Sequence, residues 1–158
     1  MNVAVGVLIL LMACSTTKTN EAVPVTTNKN IGNAEKEVVN IINDYRRKKG
    51  LSPLKAVAHI TDEAETHSSN MASQKTGFGH AGFEQRFDRL KKKIPGVTNA
   101  AENVAYGNIT TEKIVDGWLH SPGHKKNIEG NYNLTGVGIK KNSKGVLFYT
   151  QIFLYQKQ

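Results

Sequence analysis

The chain has 158 residues, a single cysteine and a net charge of +8, and this length suits one domain with its own core. A single cysteine excludes an intramolecular disulfide, so packing alone must hold that core together. The charge favours anionic partners such as lipid headgroups or acidic polymers, although a basic domain without such a partner would carry it too. No nucleic-acid-binding motif accompanies the charge, and we expect no nucleic-acid partner.

The first 13 residues have the pattern of a lipoprotein signal peptide. Residues 3–12 form an apolar run that is too short to span a bilayer as a mature helix but has the length of an h-region. The following Leu11-Met12-Ala13-Cys14 resembles a lipobox, in which the cysteine is acylated and becomes the new N-terminus. The alternative is a plain signal peptide with an incidental cysteine. We favour lipidation at Cys14, and hence an exported lipoprotein anchored to a membrane at the cell envelope.

The rest of the chain divides into a tether and one domain. Residues 14–32 are rich in Thr, Asn and Lys, contain Pro24, and are too polar to order themselves. They are predicted to be a flexible tether. The domain then covers 33–158, with Asn33 as the N-cap of a first helix that ends at Gly50.

Three further helices are predicted from the 3.6-residue periodicity. The second, over about 57–74, places Ile60, Ala64, Met71 and either His67 or Ser68 on one face. His67 is therefore either a partly buried helix histidine, which we favour, or a cavity residue. The third helix follows Phe83, stops at Pro95-Gly96, and is expected to expose its basic residues, Arg86, Arg89 and Lys91 to Lys93. The fourth, capped by Thr110 or Thr111, has a buried stripe formed by Ile114, Val115 and Trp118.

Two segments near the C-terminus, 134–140 and 146–155, are rich in β-forming residues. The segment 142–145, Asn-Ser-Lys-Gly, is expected to join them as a hairpin. Helices followed by a hairpin indicate an α+β fold.

Three stretches carry polar residues that we expect to meet in one solvent-open site. The glycine-rich loop 77–82 presents His80, since glycine allows backbone conformations that other residues resist. Glu102 lies in an apolar stretch, where its charge needs a partner such as an imidazole; alternatively, Glu102 and Asn103 only brace loops. Pro122-Gly123 is expected to break the helix and hold His124 in a turn. That break also argues against a helical metal pair formed by His120 and His124.

These stretches resemble signature segments of bacterial CAP-domain proteins, a superfamily that also includes cysteine-rich secretory, antigen-five and plant pathogenesis-related proteins. The matching segments are Ala101-Glu102-Asn103-Val104 and Trp118-x-x-Ser121-Pro122-Gly123-His124-x-x-Asn127-Ile128. Residues 136–139 and 149–153 resemble the closing hairpin of that family. The resemblance implies a CAP-type α-β-α sandwich, with a small antiparallel sheet between helical layers.

The family's central cleft is described with two histidines and two acidic residues, of which His80, Glu102 and His124 match three. The fourth position is Ser121, as in the bacterial branch, and Asn103 adjoins the cleft; His67 is a further candidate. The resemblance implies a module that binds a sterol, another lipid or an envelope protein.

A metal-assisted hydrolase or protease is the alternative function, in which His80, Glu102 and His124 would hold a divalent cation such as zinc weakly. We favour binding over catalysis, because the sequence offers no activated nucleophile and lacks the second acid. We expect a monomer that requires no cofactor.

Overall fold

The computed structural model describes residues 28–157. The predicted signal peptide and the lipidation site at Cys14 lie outside the described residues. Among the helices of 28–157, none is both long enough and apolar enough to cross a membrane.

Five helices and a four-stranded sheet make up this part of the chain, which confirms the α+β prediction. The helices are α1 (Asn28–Lys48), α2 (Ala58–Ala72), α3 (Phe83–Lys93), α4 (Thr111–His120) and α5 (Pro122–Ile128). The strands are β1 (Lys55–Ala56), β2 (Val97–Gly107), β3 (Leu134–Lys141) and β4 (Leu147–Gln156), in the order β1-β3-β4-β2.

Two predicted boundaries are wrong. Helix α1 begins at Asn28 rather than after Asn33, so residues 28–32 belong to the helix and not to the tether. The helix can extend to Asn28 because residues 28–32 contain no proline. Pro122 begins α5 instead of breaking a helix, because the first helical turn needs no N–H from its first residue. His124 therefore lies on a short helix and not in a turn.

The sheet is antiparallel across its three long strands. The predicted hairpin is confirmed, with Leu134 opposite Leu154 and Lys141 opposite Leu147 in β3 and β4. Strand β2, which the sequence did not identify as a strand, pairs antiparallel with β4 and forms one edge. The two-residue β1 adds a parallel pair to β3 at the other edge.

Helices cover both faces of the sheet and give an α-β-α sandwich. On one face α1, α4 and α5 enclose a core that includes Trp118, Tyr149 and Phe153. On the other face α2 and α3 enclose a second core around Ile60, Leu90 and further apolar side chains of the sheet. The predicted stripes of α2 and α4 are both buried, and His67 and Ser68 are both in the buried face of α2.

Helix α2 lies directly against the backbone of β3. A Cβ atom at Gly138 would stand 2.1 Å from the amide nitrogen of Glu65, and one at Gly136 would stand 2.3 Å from that of Thr61. Only glycine permits this approach. The contact is closed by Ser68, whose hydroxyl donates to the Gly138 carbonyl at 2.8 Å, and it fixes α2 and the loop that follows it over the sheet.

Candidate functional site

The site is built around the free edge of β2. Side chains alternate along a strand, so Glu102 faces α2 and α3 while Asn103 faces α4 and α5. The outward backbone carbonyls of this edge are capped by side chains. Trp118 Nε1 donates to the Val104 carbonyl at 3.2 Å, and Asn127 Nδ2 donates to the Glu102 carbonyl at 3.2 Å. The tryptophan and asparagine of the signature segment therefore protect an unpaired strand edge.

The buried carboxylate of Glu102 is bound by Arg86 of α3. Arg86 Nε donates to Oε2 at 2.9 Å and its Nη2 donates to Oε1 at 2.8 Å, and both residues are buried. A third guanidinium nitrogen, Nη1, donates to the Ala81 carbonyl at 2.8 Å. The prediction that Arg86 is exposed is therefore wrong. A buried charge needs a charged partner, and a planar guanidinium meets both carboxylate oxygens at once.

The sequence contained a signal that could have revealed Arg86. It stands four residues before the buried Leu90, so the two share one face of α3. The apolar stretch around Glu102 requires a positively charged partner. A basic residue on the buried face of a helix, such as Arg86, is the candidate for that partner.

His80 lies above this ion pair, at the surface. Its Nδ1 is 3.0 Å from Glu102 Oε1, and its side chain is 53% exposed. The loop that carries it has Gly79 at φ +132° and Gly82 at φ +76°, conformations that side-chain-bearing residues rarely adopt. The glycine-rich loop thus directs His80 onto the carboxylate, as the sequence suggested.

His67 lies beneath His80 and is almost fully buried. Its Nε2 donates to the Gly79 carbonyl at 2.8 Å and is 3.8 Å from Glu102 Oε1. Burial lowers the pKa of His67 below its ordinary value; the Glu102 carboxylate acts in the opposite direction but is outweighed. With its Nδ1 unpartnered, His67 is a neutral imidazole that supports the His80 loop.

A neutral network occupies the other face of β2. Asn127 Nδ2 donates to Asn103 Oδ1 at 2.9 Å, and Asn103 Nδ2 donates to the His124 carbonyl at 3.2 Å. Ser121 contributes through its main chain, whose carbonyl accepts from the Lys125 amide at 2.9 Å. Asn103 is thus placed beside His124, but on the opposite side of the strand from the Glu102 carboxylate.

His124 is half-buried and packs near Trp118, with 6.4 Å between ring centroids. Burial lowers its pKa, and the charge of His80 lowers it further. His124 and His80 are therefore electrostatic neighbours across the strand edge. In the described part of the chain, however, the imidazole of His124 forms no ion pair with Glu102, which contacts Arg86, His80 and His67 instead.

This arrangement does not form the expected three-ligand metal site. Within residues 28–157, no three His, Cys, Asp or Glu side chains are grouped so that they could hold a metal ion. Arg86 donates to both oxygens of Glu102, and the other side chains that contact this carboxylate are His80 and His67. His120 is also apart, since it points to solvent and pairs with Asp116, with 3.2 Å between Nδ1 and Oδ1.

Matches to known proteins identify the family of the chain. Residues 39–153 match the family model described as CAP, the cysteine-rich secretory protein family. The chain is 35% identical over 122 residues to the uncharacterized protein YkwD of Bacillus subtilis, covering 76% of this chain and 46% of YkwD. It is 31% identical over 124 residues to the uncharacterized membrane protein YlbC of the same organism, covering 77% of this chain and 34% of YlbC. The chain thus spans less than half the length of these curated relatives.

Solved structures share the fold. An extracellular protein from Bacillus anthracis that contains an SCP domain superposes with a TM-score of 0.69 at 26% identity, covering 82% of this chain and 44% of that one. An outer surface protein from Borrelia burgdorferi superposes with a TM-score of 0.67 at 20% identity, covering 79% of this chain and 94% of that one. The second likeness bears on the fold alone.

Proposed function

The chain belongs to the cysteine-rich secretory protein (CAP) family, and from that premise we propose that it is a binding domain anchored at the cell envelope. Its ligand is a hydrophobic small molecule or an envelope partner, and it binds at the surface formed by His80 and His124 over the β2 edge. The observation that carries this proposal is the double hydrogen bond from Arg86 to Glu102. It neutralises the one acid of the site and leaves His80 as the exposed polar group.

Binding fits this arrangement better than catalysis does. A carboxylate acts as a general base or metal ligand through an oxygen that is free to accept a proton or a cation, and both oxygens of Glu102 already accept from Arg86. Burial lowers the pKa values of His67 and His124 and so favours their neutral forms. The buried Arg86–Glu102 pair has no net charge and holds the half-exposed His80 imidazole in place. This arrangement is suited to recognising a ligand. The hydrolase alternative would require Glu102 to separate from Arg86.

A binding assay with matched histidine variants tests the proposal. The probes are a fluorescent sterol and a fluorescent fatty acid, added to the full chain, together with mass spectrometry of compounds that co-purify with it. His80→Ala should weaken the affinity by roughly fivefold, the equivalent of one hydrogen bond. The control is His59→Ala, an exposed histidine in the first turn of α2. Equal affinities for both variants and the original chain, with no co-purifying compound, would contradict the proposal.

The hydrolase alternative makes a different prediction. Zinc should then perturb the NMR signals of His80 and His124, and His80→Ala should abolish the perturbation at His124. If the chain is a binding domain without a metal site, a stoichiometric amount of zinc should not shift the NMR signals of His80 or His124.

Anchoring through Cys14 is the second part of the proposal. It rests on the lipobox-like segment that ends at Cys14, and the extracellular Bacillus anthracis relative is consistent with export. Cys14→Ser should move the protein from the membrane fraction to the soluble fraction, whereas Ser15→Ala should leave it in the membrane. Mass spectrometry of the mature N-terminus checks the same point, since an unmodified N-terminus at another residue would contradict it.

A further inference from the structure

One end of the sandwich carries an exposed apolar cluster that the proposed site does not use. Phe78 is 53% exposed, Tyr106 58% and Ile109 46%. The rings of Phe78 and Tyr106 meet edge to face with centroids 4.8 Å apart, and Tyr106 stacks on Phe148 at 5.7 Å. We call these four side chains, Phe78, Tyr106, Ile109 and Phe148, the hairpin-end patch.

The patch is unusual for the part of the chain that the structure describes. Phe78, Tyr106 and Ile109 are the large apolar side chains that are exposed within residues 28–157. They come from the loop after α2 and from the end of β2 and the segment that follows it, and Phe78 and Tyr106 are in contact. Isolated exposed apolar residues are common, but contiguous ones mark a surface that contacts something.

The chain enters the domain at this same end. A groove of about 770 Å³ is lined by Gly32 and Glu35 of α1, by Ser73 and Gln74 after α2, and by the β3–β4 turn at Lys144. Glu35 Oε1 accepts from the Ile139 amide at 2.9 Å and so fixes the first part of α1 beside the hairpin. The first part of α1 therefore lies at the same end of the domain as the hairpin-end patch.

Exposed lysines stand close in sequence to the residues of the patch. Lys75, Lys113 and Lys144 lie within four residues of Phe78, Ile109 and Phe148 respectively and are exposed. In the described part of the chain these three lysines form no ion pair. The carboxylates at this end are Glu35, which is bound to Ile139, Glu65, which pairs with Lys140, and the exposed Glu37 and Glu112.

We propose that the hairpin-end patch docks on an anionic lipid bilayer, with its aromatic rings at the level of the headgroups. Aromatic side chains favour the interface between water and hydrocarbon, and exposed lysines are attracted by a negative lipid surface. Residues 15–27 separate Cys14 from α1 and reach at most roughly 50 Å, so an anchored chain would hold this end near the membrane. The docking does not depend on which ligand His80 binds.

Tryptophan reporters at the two ends of the molecule test the docking. The full chain is mixed with vesicles of phosphatidylglycerol and brominated phosphatidylcholine, whose bromine atoms quench tryptophan fluorescence on contact. Phe78→Trp places a reporter in the patch. Ser52→Trp is the control, because Ser52 is exposed and follows the far end of α1, a helix of roughly 30 Å. The native Trp118 is 2% exposed, and the original chain gives its background.

We expect a blue shift and a loss of emission for Phe78→Trp, and neither for Ser52→Trp. The loss should disappear in vesicles without phosphatidylglycerol or at high salt. Equal quenching of both reporters would overturn the proposal, since it would mean contact without this orientation. Absence of quenching at both positions would overturn it too, since it would mean that the patch does not contact the bilayer.

A charge series makes the test specific to the lysines. Changing Lys75, Lys113 and Lys144 to Gln together in the Phe78→Trp chain should weaken the contact by on the order of fivefold per lysine. The control removes the same charge elsewhere, at Lys48, Lys125 and Lys126. If both triple variants lose quenching equally, net charge and not the patch drives the contact, and the proposal fails.

Discussion

Arg86 and Arg89 lie three residues apart on α3, and each donates to both oxygens of a glutamate. Arg86 binds Glu102 with side chains that are 6% and 2% exposed, whereas Arg89 binds Glu63 with side chains that are 48% and 8% exposed. The same chemistry thus occurs in the interior and at the surface of one helix. Water screens the second pair and does not reach the first, and the two should therefore differ in energy, in salt dependence and in function.

The difference explains why a basic segment cannot be treated as one surface. Arg86 positions the Glu102 carboxylate, whose Oε1 atom contacts both Arg86 and His80. Arg89 and Lys93 instead share Glu63 at the boundary between α2 and α3. One arginine therefore supports the candidate site, while the other fastens two helices.

The largest expected effect comes from breaking the buried pair. Arg86→Met keeps the length of the side chain but leaves the Glu102 carboxylate buried without its cation, which should cost about 3–5 kcal/mol of unfolding free energy. Urea denaturation measures this loss. We also expect disorder of the His80 loop, visible as altered NMR signals of Gly79 and Gly82, because Arg86 also binds the Ala81 carbonyl.

The double variant Arg86→Met with Glu102→Gln provides the control. Removing both charges should restore most of the lost stability, because a buried pair is often replaced at little net cost. If the double variant is as unstable as Arg86→Met alone, the loss comes from packing and not from the unpaired carboxylate.

The sequence predicted most of the fold, and the reason lies in its periodic elements. The stripe of α4 is buried as its periodicity predicts, and β3 and β4, predicted from their β-forming residues, are central strands buried on both faces. Strand β2 was missed because its buried stretch contains Glu102 and Asn103, and their polarity is satisfied only by residues distant in sequence. The start of α1 was misplaced because Asn33 suits a cap but nothing before it stops the helix.

The sequence indicated only part of the arrangement of the site. His80 and Glu102 meet as the sequence suggested, since glycines permit the loop that carries His80. Asn103 was grouped with Glu102, yet the alternation of β2 places these two side chains on opposite faces of the strand. The neighbours in sequence are thus separated in space, and only the strand assignment reveals it.

An intermediate effect should come from protonating the histidines beside the buried pair. His67 and His124 have folded-state pKa values below the ordinary value of about 6.5. The unfolded chain therefore binds these protons first as the pH falls. Stability should decrease below about pH 6.5 and level off below the folded-state pKa values, with a slope of at most about 1.4 kcal/mol per pH unit for each histidine.

Unfolding midpoints between about pH 7.5 and 5.5 measure this slope. His67→Gln keeps a donor for the Gly79 carbonyl and should flatten the profile, as should His124→Gln. His59→Gln, at an exposed position, should leave it unchanged. An unchanged slope in both test variants would show that protonating the buried imidazoles does not lower the stability of the fold. The charge of Glu102 would then not be fully compensated by Arg86.

The smallest effect should come from the surface pair. Arg89→Met should cost about 1 kcal/mol, because Arg89 is half-exposed and Lys93 Nζ remains 3.5 Å from Glu63 Oε1 as a second cation for this carboxylate. Hydrogen bonding by Arg89 holds the pKa of Glu63 below its ordinary value, so the pair stabilises the fold above that ordinary value and the benefit is lost as the pH falls through the folded-state pKa. An NMR titration of the Glu63 carboxyl carbon should show its pKa rise in Arg89→Met.

The stability difference between Arg89→Met and the original chain should vanish in about 0.5 M salt, whereas the cost of Arg86→Met should persist there. If salt removes both costs, water reaches Glu102 as readily as Glu63, and the distinction between the two arginines fails.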